Sequence, residues 1–345
     1  MEDLAMADAS AALQRLMAPA IGAEAAAEVL ATLWIPSSLF PGAAGQVTRG
    51  LCAMALNGVL FHDLLQRVPT GAAYVADRRR AGERIVLDHG ALRTIDLDGG
   101  PVGALPGGHG AFARILEPLG YREAGLYPLE RLKMTGRAFA HLDLPQDIPQ
   151  FFVSELHVQR FSPAFQAVAR RVFEKSRDPL GAKARAALDA FAATGACEEG
   201  LARAALPDLA AAFGRWHPLP RVEDYEALLQ ESAEAAWIST EGGAFNHATS
   251  RVADVEATAQ EQRRLGRAVK DAVEVSASGR VRQTAFRADP VLRPLAGAHG
   301  PVERQVPGSF YEFISRAPET ADGALDLRFD SANAQGIFAM TKAGG

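Results

Sequence analysis

The sequence predicts an α+β fold organised as one domain over residues 1–345, with a β core surrounded by helices. Two observations point there. Ala-rich segments with apolar residues three and four apart fill the start of the chain (about 1–68) and a later insert (about 163–236), while short runs rich in β-branched and aromatic residues recur between and after them. No linker, repeat or low-complexity stretch divides the chain, so its 48% hydrophobic content is read as one core.

The elements follow in order. Residues 11–33 place Leu13, Leu16, Met17 and Ile21 on one helical face, and IPSSLFPGAAG is a loop. Residues 46–66 are helical again, with Arg49, Asn57 and His62 on the polar side. Strands are expected at 72–76 and 84–96, with the basic run Arg78, Arg79 and Arg80 as a solvated turn between them. The Gly- and Pro-rich segment 97–110 is a loop, 112–119 a short helix, and the following GYREAGLYPLERLKMTGRAFAHLDL one or two strands. PQFFVSEL is a strand, since Phe151, Phe152 and Val153 favour sheet. Several helices are expected over 163–234, punctuated by Gly195, Pro207 and Pro218. Strands return at 244–252, 281–287 and 310–316.

Composition excludes some roles. With 36 Lys and Arg against 41 Asp and Glu, the chain lacks the basic footprint of a nucleic-acid binder. No apolar run approaches the roughly 20 residues of a membrane span, and the acidic, amphipathic start does not read as a signal peptide. A cytoplasmic protein with no membrane or nucleic-acid partner is the expectation, and no protein partner is inferred. Cys52 and Cys197 form no metal-type spacing and read as reduced, buried thiols. There is no P-loop, nucleophile elbow or HExxH helix, and the glycines of GGPVGALPGGHG do not open a helix after a strand as a dinucleotide cradle does.

Three strand-like stretches each offer one metal-binding residue: His89 in VLDHGALRTID, His247 in AFNHATSRV and Glu312 in GSFYEFISRA. Two imidazoles and one carboxylate form the facial set that holds iron(II) and leaves coordination positions open. Arg93 follows His89 by four residues, so on a strand both leave one face, where a guanidinium can grip a substrate carboxylate. Thr249 and Arg251 share a face with His247, and Asn246 precedes it. Glu155 competes with Glu312 as the acid, sharing a strand face with His157; Ser154 and Glu155 are candidates for hydrogen bonds around the site. His109 and His299 lie in Gly-rich loops, and their roles, with that of His157, stay open. The same residues also suit zinc or manganese in a hydrolase, lyase or isomerase, or a satisfied polar core without metal.

Taken together, DHGALRT from Asp88, FVSEL from Phe152, FNHATSRV from Phe245, RQTAFRAD from Arg282, GSFYEFISR from Gly308 and NAQGIFAMT from Asn333 resemble the 2-oxoadipate dioxygenase/decarboxylase family. The resemblance implies a mixed, curved β-sheet like that of the vicinal oxygen chelate fold. It implies an iron(II) enzyme that converts a small 2-oxo acid, 2-oxoadipate above all, to 2-hydroxyglutarate with dioxygen and release of carbon dioxide, in lysine degradation. On it, His89, His247 and Glu312 are the iron ligands and Arg93 holds a substrate carboxylate, with Ala332 and Gln335 near the substrate pocket.

Overall fold

The computed structural model describes residues 2–40, 42–320 and 323–330. The NAQGIFAMT stretch, with Ala332 and Gln335, lies outside the described residues.

Two helices open the chain, α1 (Glu2–Ile21) and α2 (Ala23–Thr32), where the periodicity suggested one. Gly22 separates them at φ 87°, a left-handed conformation in which glycine meets no steric cost. A short strand, β1 (Gln46–Thr48), leads into α3 (Arg49–Arg67), whose first turn is capped by the Thr48 hydroxyl. The expected strand at 72–76 is instead part of a helix, α4 (Pro69–Arg80). Proline at its first turn is pre-set for helix, and its buried Gly71, Tyr74 and Val75 are spaced by three and one, as on a helical face. The basic run is therefore the last turn of α4, where cations oppose the negative end of the helix dipole.

The sheet then begins with β2 (Val86–Asp96), followed by α5 (Gly110–Leu116), β3 (Tyr121–Leu129), β4 (Met134–His141) and β5 (Gln150–His157). The helical insert comprises α6 (Pro163–Phe173), α7 (Ala182–Thr194), a short β6 (Ala196–Glu198) that pairs with β1, α8 (Glu199–Ala211), α9 (Val222–Glu231) and α10 (Ala233–Glu241). Gly195 ends α7 in a left-handed cap, but Pro207 lies inside α8 and does not break it. The remaining elements are β7 (His247–Arg251), α11 (Val255–Arg264), β8 (Glu274–Val275), β9 (Val281–Ala285), β10 (Pro290–Gly297), β11 (Gly300–Pro307) and β12 (Phe310–Arg316). The β10–β11 hairpin was not expected from the sequence; His299 sits exposed at its turn.

Eight strands form one mixed, curved sheet in the order β3-β4-β5-β2-β7-β12-β9-β8. This order contains the same unit twice. In each half a first strand is followed by a helix and then three strands, the last of which returns parallel to the first: β2, α5, β3, β4 and β5, then β7, α11, β8, β9 and β12. The halves meet where β2 and β7 run antiparallel. The register His89↔Thr249 and Ala91↔His247 places the two histidines symmetrically about the Gly90↔Ala248 pair.

Strand alternation divides the sheet into two faces. Leu92, Phe151, Val153, Tyr311 and Phe313 enter the larger core with α1, α3, α7 and α8. Gly90 permits that packing, since a Cβ there would lie 2.1 Å from the Phe245 ring. The opposite face carries Ala91 and Phe152 into a second core covered by α6, α9 and α10. His89, Arg93 and Glu312 alternate onto this face.

Candidate metal centre

The register explains how residues 223 positions apart in sequence meet. His89, Thr249 and Glu312 form one row across β2, β7 and β12, and His247 stands two residues along the central strand. All three candidate ligands are buried. His89 Nε2 and His247 Nε2 each lie 3.4 Å from Glu312 Oε2. Ligands at about 2.1 Å from one ion, on adjacent octahedral positions, stand about 3 Å apart, near the separation each histidine keeps from Glu312, and the ligand atoms of all three residues lie within 4.8 Å of one another. A divalent cation fits this set for a second reason. Glu312 Oε1 is buried and has no hydrogen-bond partner among the described residues, a costly state for a carboxylate oxygen that a cation would relieve.

Each ligand is aimed by a neighbour. Thr249 Oγ1 donates to Glu312 Oε2 at 2.6 Å and lies 3.1 Å from His89 Nε2. Asp88 Oδ1 accepts from His89 Nδ1 at 2.8 Å, and Asn246 Oδ1 accepts from His247 Nδ1 at 3.2 Å. With Nδ1 donating in both rings, the Nε2 lone pairs are directed at the site. Arg251 acts one step further out, donating to Asp88 Oδ2 at 3.0 Å.

Burial alone would raise the Glu312 carboxyl, but hydrogen bonds and charge from His247 and His89 outweigh it and hold it at about 2. Burial depresses His247 below its ordinary value, with Glu312 opposing. His89 moves the other way: burial lowers it, yet the combined hydrogen bonds and charges of Asp88 and Glu312 raise it overall. The Asp88 carboxyl, pushed up by burial, is held well below its ordinary range by Arg316, His89 and Arg251.

A pocket opens on His89 and His247, bordered by Arg93, Phe152, Ser154, Asn246, Gln283 and Phe329. Arg93 is buried and lies over the Trp237 ring at 5.0 Å. Burial lowers its guanidinium to about 10, with Glu234 opposing, so it stays charged at neutral pH. The structure thus gathers His89, His247, Arg93, Ser154 and Asn246 around one pocket, with Glu312 against both histidines, Thr249 bonded to Glu312, and Arg251 on Asp88.

Glu155 does not join them. It alternates to the opposite face and accepts from the backbone N and Nδ1 of His109 at 2.6 and 2.7 Å. A role for Glu155 beside the trio is therefore corrected. A second group, Asp96, Glu155 and His157, is close enough to hold an ion. There, however, His157 is engaged at both ring nitrogens, by Asp96 at 3.0 Å and Thr135 at 2.8 Å, which describes a closed hydrogen-bond network. His141 and His217 are buried, and desolvation takes each down to about 4.

Sequence reasoning missed Asp88, Phe152 and Gln283 as site residues, although each lies in a motif it singled out. Phe329 carried no signal, because only the folded chain brings it back to the sheet. No helix among the described residues is long and apolar enough to cross a membrane.

Comparison with known proteins adds four findings. The family model for 2-oxoadipate dioxygenase/decarboxylase matches residues 61–338, which contain every candidate ligand. A curated 2-oxoadipate dioxygenase/decarboxylase, chloroplastic/amyloplastic, from Oryza sativa subsp. japonica is 24% identical over 271 residues, covering 73% of this chain. The match spans 65% of the length of that rice relative. Among solved structures, a glyoxalase superfamily protein from Ralstonia eutropha JMP134 is 49% identical at a TM-score of 0.88, covering 93% of this chain and 98% of its own. The hydroxyglutarate synthase of Oryza sativa, solved in complex with 2-oxoadipate, shares the fold at a TM-score of 0.65 and 22% identity, covering 84% of this chain and 91% of its own.

Proposed function

The chain belongs to the 2-oxoadipate dioxygenase/decarboxylase family, and from that premise we propose that it is an iron(II) enzyme converting 2-oxoadipate and dioxygen to 2-hydroxyglutarate and carbon dioxide, a step of lysine breakdown. The observation that carries the proposal is the convergence of His89, His247 and Glu312 on one buried point within the matched residues. Two neutral imidazoles and one carboxylate suit iron(II) and leave room for other ligands. Iron(II), when bound, supplies the redox chemistry that couples loss of the 2-oxo acid's carboxylate to hydroxylation of the shortened acid.

The chain's own residues do the rest. Thr249 fixes the Glu312 carboxylate, while Asp88 and Asn246 hold the two rings with Nε2 inward. Arg93, four residues along the strand from His89, presents a permanent charge to the pocket and would grip the distal carboxylate of a dicarboxylic acid. Phe152 and Phe329, with rings 4.8 Å apart, wall the pocket with apolar surface and keep bulk water from the reacting carbons. A grip by Arg93 on one end of the substrate would fix which carbon stands beside His89, His247 and Glu312.

The test is dioxygen uptake by protein reconstituted with iron(II). Uptake with 2-oxoadipate, matched mole for mole by carbon dioxide and 2-hydroxyglutarate, is the expected result. No uptake across a panel of 2-oxo acids would overturn the proposal. Turnover under strict anaerobiosis with zinc or manganese bound would assign the trio to hydrolytic or isomerising chemistry instead.

A further inference from the structure

Behind His89 lies a buried ion cluster of which the proposed reaction uses only Asp88. The Asp88 side chain has no solvent exposure. Besides His89 and Arg251, it accepts from Arg316 Nε and Nη2 at 2.9 Å each, a two-pronged clamp. The Arg316 side chain is equally covered. Its remaining nitrogen, Nη1, donates to the backbone carbonyls of Asp326 at 2.7 Å and Arg328 at 2.9 Å. One guanidinium therefore has one edge on a carboxylate and the other on a stretch of backbone.

That stretch leads directly to the pocket. Phe329 stands edge-on to the His89 ring at 4.8 Å, touches the Phe152 ring at 4.8 Å, and lies beneath the Arg316 guanidinium at 5.3 Å. Its amide donates to the Tyr127 hydroxyl at 3.1 Å. Gln150, at the start of β5, donates to the carbonyl of Leu327 at 3.1 Å. The segment is thus laid along the site face of the sheet, and its central anchor is the residue that also clamps Asp88.

We infer that Arg316 is a positioning residue that ties segment 326–329 to the metal ligand His89. It holds Asp88 where Asp88 fixes the His89 ring, and with the same group holds the carbonyls that set Phe329 against that ring. This rests on the metal reading of the trio. A buried charge pair tolerates little rearrangement, because parting either ion from its partner leaves it desolvated and uncompensated. A metal that restrains His89 therefore restrains Asp88, Arg316 and the segment in turn. By thermodynamic reciprocity, ordering of the segment raises metal affinity as much as metal raises the order of the segment.

The test measures both sides of that linkage with cobalt(II), whose visible spectrum reports its coordination. Hydrogen exchange of the Asp326, Arg328 and Phe329 amides is followed with and without cobalt in the wild type, Arg316→Lys, Arg316→Gln and Tyr127→Phe. Cobalt is expected to slow these amides in the wild type. Arg316→Gln should lose that slowing and bind cobalt roughly 10–100-fold more weakly, the usual effect of removing an outer partner of a metal ligand. Arg316→Lys, which keeps the charge but not the fork, should retain part of both. Tyr127→Phe should speed Phe329 exchange yet keep the cobalt effect, because the ion cluster is intact.

Wild-type protein that binds cobalt while its amides exchange unchanged, a comparison that needs no variant, overturns the linkage and leaves the metal reading standing. So does an Arg316→Gln protein that binds cobalt as tightly as the wild type. A wild-type chain that takes up no cobalt overturns the metal reading, and the linkage with it.

Discussion

The two halves of the sheet have the same strand order and pairing, yet they furnish the pocket differently. Each first strand carries a histidine followed four residues later by an arginine: His89 with Arg93 on β2, His247 with Arg251 on β7. Each last strand has a residue facing the same point. On β12 it is Glu312, paired with the residue two beyond His247; on β5 the corresponding residue, paired two beyond His89, is Phe152. One half thus gives two candidate ligands and the other gives one ligand and an apolar wall. The arginines diverge in the same way. Arg251 is consumed in holding Asp88, whereas Arg93 faces the pocket. The repeated unit offers four positions around one point, three filled by donors and one by Phe152, and on the proposed function the position at Phe152 is where substrate and dioxygen would meet the metal.

The largest effect expected from breaking this asymmetry is at the ligands. His247→Ala or Glu312→Ala should lower kcat/KM by about 10³-fold or more and remove stoichiometric metal, read by elemental analysis beside oxygen uptake. Restoring symmetry is the sharper experiment. Phe152→Glu would offer the fourth donor, so bound metal should be retained while activity falls by about 10²-fold or more, as the open position is filled. If Phe152→Glu remains fully active, Phe152 does not face the metal's open side.

Next come the arginines. Arg93→Ala should cost roughly 2–4 kcal/mol in kcat/KM, mostly as a raised KM for 2-oxoadipate, with metal content unchanged. The smallest of these effects is expected at Asn246→Ala, about tenfold in metal affinity, because it removes the partner of one ring nitrogen.

The histidines also divide by half in their response to pH. His89 is raised in the metal-free protein and His247 lowered. The raised His89 contributes stability to the metal-free fold that is fully present below its unfolded value of about 6.5 and is lost as pH rises through its higher folded value. Protons and metal compete for His89, so metal affinity should climb with pH beyond 6.5 until His89 is deprotonated. Asp88→Asn, which removes the main support of the protonated ring, should shift that climb to lower pH; titrations of cobalt binding across pH read both.

Much of this was legible in the sequence because β-strands announce themselves locally. GSFYEFISR alternates a buried carboxylate among aromatics, and that alternation places Glu312 on the site face opposite Tyr311 and Phe313. His89 and Arg93 share a face for the same reason. Where local signals conflicted, the reading failed: residues 72–76 carry an apolar run short enough for a strand, but Pro69 and the Gly71, Tyr74, Val75 spacing belong to a helix. The duplication was invisible because the halves share pairing and register, with a His and an Arg on each inner strand, and little else that a sequence displays. Glu155 was misplaced by one position of the pleat. It adjoins Ser154, which borders the pocket, and a shift of one residue on a strand reverses the face. Asp88 and Arg316, 228 residues apart, could be joined only by the fold.

The central claim is that the asymmetric trio, and not the Asp96, Glu155 and His157 network, is the iron site. The most direct measurement is anomalous diffraction at the iron edge from crystals grown with iron(II) under anaerobic conditions. The account predicts one peak, about 2.0–2.3 Å from His89 Nε2, His247 Nε2 and a Glu312 oxygen, with its open side toward Phe152. Full-occupancy iron at the Asp96 network, or none at the trio, would contradict it.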